Sequence, residues 1–155
     1  VFFFQDVDSQ FFNSTVYDEI AFGPRQLGLS EEEVSQRVQD TLSLLKIEDL
    51  RDRVPYQLSG GEKKKVAFAS IMVTNPDVYI LDEPFNNLSK EYEEFFRELL
   101  HELHSAGKTI IMSAHHFKHL HHEKADVLLL KMAKLIFPAQ EVLNNQQVIE
   151  RLSHY

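Results

Sequence analysis

Two short stretches carry residues able to do chemistry. The first is Leu58-Ser59-Gly60-Gly61-Glu62, a Ser-Gly-Gly turn that opens a helix. Such a turn offers backbone N–H groups and a positive dipole end to an anion. The second is Val78-Tyr79-Ile80-Leu81-Asp82-Glu83-Pro84, an apolar strand ending in two adjacent carboxylates. Asp82 there could hold Mg²⁺ through water, and Glu83 could polarise an attacking water. Together the stretches point to nucleotide phosphate chemistry. A phosphate-wrapping G-x-x-x-x-G-K-[ST] loop is absent from these 155 residues.

Each stretch also has a bland reading. An acidic pair can cap a loop, and a Ser-Gly-Gly turn can be a flexible helix cap. Four apolar residues before Asp82 and Pro84 after Glu83 favour function, because ligands of open α/β sheets bind beyond the strands' carboxyl ends. Ser59 is also placed to cap its helix, with Glu62 as reciprocal partner. One hydroxyl cannot serve the cap and a phosphate fully at once. Gln5 and His115 each follow an apolar run, and by themselves read as strand-end polar groups. The histidines at 115, 116, 119, 121 and 122 have helical spacing but no neighbouring Cys or acid before Glu123, so a solvated helix is preferred to a metal site. Lys63-Lys64-Lys65 reads as a solvated helix face.

The elements that must position these residues follow from periodicity. Val1–Phe4, 77–82 and 109–114 are short apolar runs and predict buried strands. Thr15–Phe22 predicts a short helix stopped by Gly23-Pro24. Ser30 and Glu33 form a capping box for a helix over 31–46, with Val34, Val38, Leu42 and Leu45 on one face. Residues 47–57 predict a polar connection broken by Pro55. The helix after Ser59 presents Val66, Ala67, Ala69, Ser70 and Val73, and Asn75-Pro76 ends it. Ser89 caps another helix, which Gly107 terminates. Val127–Leu130 and Leu135–Phe137 predict a hairpin whose turn lacks Gly and Asn, and residues 140–152 predict terminal helices. Strands separated by helices give an α/β class: a mostly parallel sheet flanked by helices, with a helical subdomain over 6–57 set on a core of 1–5 and 58–155.

Composition narrows the partners. Lys and Arg total 16 against 24 Asp and Glu, and the net charge of -8 disfavours nucleic acid. The absence of cysteine excludes disulfides and thiolate metal sites. No apolar run is long enough to span a bilayer.

The chain resembles the ATP-binding subunit of an ATP-binding-cassette transporter. Leu58–Glu62 is similar to its signature sequence, which usually ends in Gln. Val78–Glu83 is similar to its Walker B strand and catalytic Glu. Gln5 stands where the Q-loop glutamine belongs, and His115 where the switch histidine belongs. Thr15–Pro24, Arg53-Val54-Pro55 and Glu62-Lys63-Lys64 narrow the resemblance to the energy-coupling-factor and cobalt/nickel-uptake branch. The resemblance implies a P-loop NTPase-like core that binds ATP and Mg²⁺. Asp82 and Gln5 would be metal-linked, Glu83 the base, and His115 a contact to the terminal phosphate. Ser59, Gly60, Gly61 and Glu62 would close over ATP held by a second ATPase subunit. The further implied partners are a transmembrane coupling protein and a substrate-binding membrane component, at the cytoplasmic face of the membrane.

Three departures accompany it. The Walker A loop lies upstream of the Q-loop in that family, so the start at Val1 is read as a cut or processed start and the fragment as inactive alone. Ser89 stands where the family has Asp, which removes a charge used across the dimer. The hairpin turn lacks its usual Gly. The alternatives are a non-catalytic module of the same fold, and a DNA-repair-type relative.

Overall fold

The computed structural model describes residues 2–3, 11–113, 129–131 and 134–137. The chain divides into two compact units, Val1–Ser113 and Ala114–Tyr155.

The first unit is built on a three-stranded parallel sheet of order β1-β2-β3, with β1 at Phe2–Phe3, β2 at Val78–Asp82 and β3 at Thr109–Ser113. β2 is central, and Asp82 is in register with Ser113. β2 does not have the fully buried character that its apolar run predicts. Tyr79 and Leu81 are buried, whereas Val78 is exposed and Ile80 and Asp82 are half-buried. β3 likewise exposes Thr109, Ile111 and Ser113, so both strands show the period-2 pattern of a sheet covered on one face by the described residues.

The covered face packs on α3 (Gly60–Met72) and α4 (Lys90–Ser105). Phe68 of α3 stacks on Tyr79 with centroids 6.0 Å apart, and meets Phe96 of α4 edge-on at 5.6 Å. Ser59 caps α3 in a capping box with Glu62, Ser89 caps α4, and Gly107 follows α4 at φ 87, as the sequence predicts.

The helical subdomain holds α1 (Val16–Gln26) and α2 (Glu31–Leu45). α2 begins with the expected Ser30–Glu33 capping box and ends at Lys46 in a left-handed conformation. α1 runs through Gly23-Pro24 rather than stopping there. Pro24 is buried, and Gly23 lies so close to α3's end that an added Cβ would sit 2.8 Å from Thr74 Cγ2. Packing of α1 on α3 overrides the local stop signal. The connection after α2 is less polar in place than in sequence. It forms two single-turn 3₁₀ segments, Glu48–Leu50 and Pro55–Gln57, and buries Ile47, Leu50 and Pro55.

In the second unit, β4 (Leu129–Lys131) and β5 (Lys134–Phe137) pair antiparallel, which is the predicted hairpin. The predicted terminal helices over 140–152, the hairpin turn at 132–133 and the histidines from 115 to 122 lie outside the described residues. Among the described residues no helix is long and apolar enough to cross a membrane.

Candidate nucleotide site

β2 delivers its two carboxylates differently. Asp82 shares the sheet's less covered face with its register partner Ser113, whose Oγ donates to Asp82 Oδ1 at 2.6 Å. Glu83 turns away: it is buried and adopts φ 50, a left-handed conformation that few non-glycine residues take. The same Ser113 Oγ accepts the Glu83 N–H at 3.1 Å. One hydroxyl therefore ties the two acidic residues together at the strand end. A left-handed residue off the optimum costs about 1–3 kcal/mol and persists only where its surroundings hold it.

Those surroundings include α3. Lys64 is buried, which corrects the reading of Lys63-Lys64-Lys65 as a wholly solvated face. Its Nζ donates to the Pro84 carbonyl at 3.3 Å and to the Asn86 carbonyl. Burial pushes the ammonium below the ordinary lysine value, and the charge of Glu83 acts in the opposite direction. Lys65 is half-buried. It donates to the Leu45 carbonyl at 3.0 Å and lies 4.3 Å from the Phe95 ring centroid, so it neutralises the carboxyl end of α2. Burial lowers its value too.

The turn at the start of α3 is closed on one side and open on the other. Ser59 Oγ donates to Glu62 Oε2 at 2.6 Å, and the Ser59 N–H donates to the same oxygen at 2.7 Å. These bonds hold the Glu62 carboxyl below the usual carboxylate range. The cap is therefore intact above that range and is lost as pH falls through the depressed value. Glu62 N–H lies 3.4 Å from Ser59 Oγ. Among the described residues the N–H groups of Gly60 and Gly61 have no acceptor, as expected for the first helical residues. They are the donors an anion would meet.

The glycines have separate reasons. A Cβ on Gly61 would lie 3.0 Å from the Tyr92 ring, whereas one on Gly60 would meet nothing within 4 Å. Gly61→Ala is expected to cost about 1–3 kcal/mol through overpacking. Gly60→Ala should leave folding stability within about 1 kcal/mol of wild type. Denaturant unfolding of both variants checks this; equal losses would contradict it.

The oxygen donors fit Mg²⁺. Asp82 and Ser113 present a carboxylate and a hydroxyl, and Mg²⁺ favours few protein oxygens, its own waters and substrate phosphates. Among the described residues no group of three or more His, Asp or Glu could hold a metal unaided. Gln5 and His115 lie outside the described residues. The residues missed by sequence reasoning are Ser113 and Lys64. Strand parity could have found Ser113, since it is aligned with Asp82; no local signal marks Lys64.

Residues 1–86 match the family described as ABC transporter, a span that includes the glycine turn and both carboxylates. The chain belongs to the ABC transporter family. Within it, the chain is 54% identical over 115 residues to the nickel import ATP-binding protein LarO of Lactiplantibacillus plantarum, covering 74% of this chain and 48% of that protein. It is 36% identical over 149 residues to the energy-coupling factor transporter ATP-binding protein EcfA of Carboxydothermus hydrogenoformans, covering 96% and 55%. Its fold matches that of cbiO1 from Clostridium perfringens, part of the ABC transporter complex cbiONQ, with a TM-score of 0.81 and 32% identity over 97% of this chain and 61% of that one. The chain spans about half the length of the first two curated relatives it matches, at 48% and 49%. This ABC transporter ATP-binding domain is homologous to the nickel and energy-coupling-factor ATP-binding subunits.

Proposed function

We propose that the chain is part of an ATP-hydrolysing subunit that powers a membrane importer for a metal ion, nickel or cobalt, or for a vitamin. The observation that carries this reading is the pair Asp82 and Glu83 at the carboxyl end of the central parallel strand, joined by Ser113. Asp82 would hold Mg²⁺, which supplies positive charge to the phosphates. Glu83 takes a proton from the attacking water. Gln5 would sense Mg²⁺ and the attacking water, and His115 would hydrogen-bond the terminal phosphate. The Ser59–Gly61 turn with Glu62 closes over ATP held by a second ATPase subunit, identical or related. The pair docks on a transmembrane coupling protein at the cytoplasmic face, and a separate membrane component captures the solute. These 155 residues contain no G-x-x-x-x-G-K-[ST] loop, so they should bind ATP weakly by themselves.

The nickel-import relative supports nickel among these solutes, and the energy-coupling-factor relative supports a subunit of that transporter type. Uptake of radiolabelled nickel and cobalt by cells carrying wild-type protein or Glu83→Gln tests the metal reading. Loss of uptake in the variant supports it; equal uptake of both ions in the two strains overturns it and leaves the vitamin.

Ser113→Ala removes a hydroxyl bonded to a carboxylate, a contact worth about 1.5–3 kcal/mol. In the full-length protein it should lower ATP turnover by about tenfold, equivalent to about 1.4 kcal/mol. Ser113→Thr should retain most of the rate. Steady-state kinetics check both; an unchanged rate for Ser113→Ala would show that the hydroxyl does not set the carboxylates.

A further inference from the structure

Lys64 is placed unusually for a lysine beside two others. It is buried and lies on α3, one turn beyond Ser59-Gly60-Gly61. Its ammonium reaches the backbone on the far side of Glu83, at the Pro84 and Asn86 carbonyls. Those carbonyls belong to a turn closed by the Asn86 N–H donating to the Glu83 carbonyl at 3.1 Å. Glu83 and Asn87 are both left-handed there, at φ 50 and 58. Such a turn keeps its shape only where contacts over-determine it. Ser113 fixes the entry, at the Glu83 N–H, and Lys64 fixes the exit.

We infer that Lys64 is a positioning residue for Glu83: from the helix that carries the glycine turn, it clamps the backbone after Glu83 and so sets where that carboxylate stands. The inference rests on the ATPase reading given above. Two consequences follow from the chemistry. A buried ammonium costs free energy unless it is well paired; two carbonyls of the turn accept from this one and the charge of Glu83 favours it, which ties Lys64 to the turn on both counts. The clamp also joins two elements that would serve different nucleotides, since α3 carries the turn and β2 carries the carboxylates. The lowered affinity of Lys64 for its proton accords with this burial.

The test uses the full-length protein with its partner subunits and measures ATP hydrolysis and thermal unfolding. Lys64→Met should lower kcat at least about fivefold with KM for ATP within about twofold, because the clamp acts on the chemical step and not on nucleotide binding. Lys64→Arg should recover most of the rate. Lys64→Gln is too short to reach both carbonyls and should behave like Lys64→Met, which keeps the test open if the Met variant does not fold. Added to Glu83→Gln, Lys64→Met should change the residual rate by less than about twofold, because a residue acting only through Glu83 has nothing left to act on. Wild-type kcat in Lys64→Met and Lys64→Gln overturns the inference, as does the same fivefold loss on the Glu83→Gln background. If Glu83→Gln itself hydrolyses ATP at the wild-type rate, the assignment of Glu83 as base fails instead, and if the wild-type protein hydrolyses no ATP, the ATPase reading fails, so the failures are told apart.

Discussion

Glu83→Gln is expected to lower ATP turnover of the full-length protein by about 10²–10⁴-fold, the usual contribution of a positioned general base. The substitution keeps size and shape, so the strained turn should survive. Its hydrogen bonds are made by backbone atoms: the Glu83 N–H to Ser113, the Glu83 carbonyl to Asn86, and the next carbonyls to Lys64. None of these is made by the Glu83 side chain, whose charge acts on the turn only by favouring the Lys64 ammonium. ATP affinity and the melting temperature should therefore stay close to wild type while kcat collapses. Single-turnover hydrolysis with bound ATP measured separately checks the division. A Glu83→Gln protein that turns over at a tenth of the wild-type rate or faster would place the base elsewhere, with Asp82 or His115 next in line.

The largest expected loss of stability belongs to Phe68→Ala. Phe68 is 1% exposed and joins three elements, stacked on Tyr79 of β2 and edge-on to Phe96 of α4. Truncating a buried phenylalanine costs about 3–5 kcal/mol, because the transfer free energy is lost and a cavity remains. Against a typical domain stability of about 5–15 kcal/mol, that would leave the domain marginal. Phe68→Leu fills more of the space and should cost less. Phe68 also lies one helical turn beyond Lys64 on α3. Loosening α3 from β2 should therefore reduce ATP turnover before the protein unfolds. Urea unfolding monitored by circular dichroism gives the magnitude; a loss under about 1 kcal/mol would mean the rings repack around the gap.

Local signals in the sequence were sufficient where a residue's job is done within a few positions. Ser30 with Glu33 and Ser59 with Glu62 are capping boxes three residues long, and both form. Gly107 supplies the positive φ at the end of α4. The parallel sheet follows from strands separated by helices, and its three described strands are parallel. The failures are all tertiary. Gly23-Pro24 is a stop signal in isolation, but α1 is held helical by packing on α3 at Thr74. Lys64 looks solvated among three lysines, and its burial depends on carbonyls twenty and more positions away. β3 reads as buried from its composition, yet Ile111 is 53% exposed, because apolar content does not tell a strand covered on both faces from one covered on one. The acidic pair was legible as a pair. The division of labour between an Asp82 on the open face and a buried, left-handed Glu83 was not, because it depends on a single backbone angle and on Ser113.

In the proposed mechanism the glycine turn and the carboxylates of one chain serve two different ATP molecules. Mixed dimers of differently tagged full-length subunits test it, using Gly60→Asp to block the turn and Glu83→Gln to remove the base. Gly60 has open space for the added side chain, and the new charge would repel phosphate. With Gly60→Asp on one subunit and Glu83→Gln on the other, one composite site keeps a normal turn and a normal base, and the dimer should retain ATP turnover from that site. With both substitutions on one subunit, each site loses one part, and turnover should collapse although the partner is wild type. The reverse pattern, activity with both substitutions on one subunit and none when they are divided, would contradict the claim and return the turn to its own chain's nucleotide.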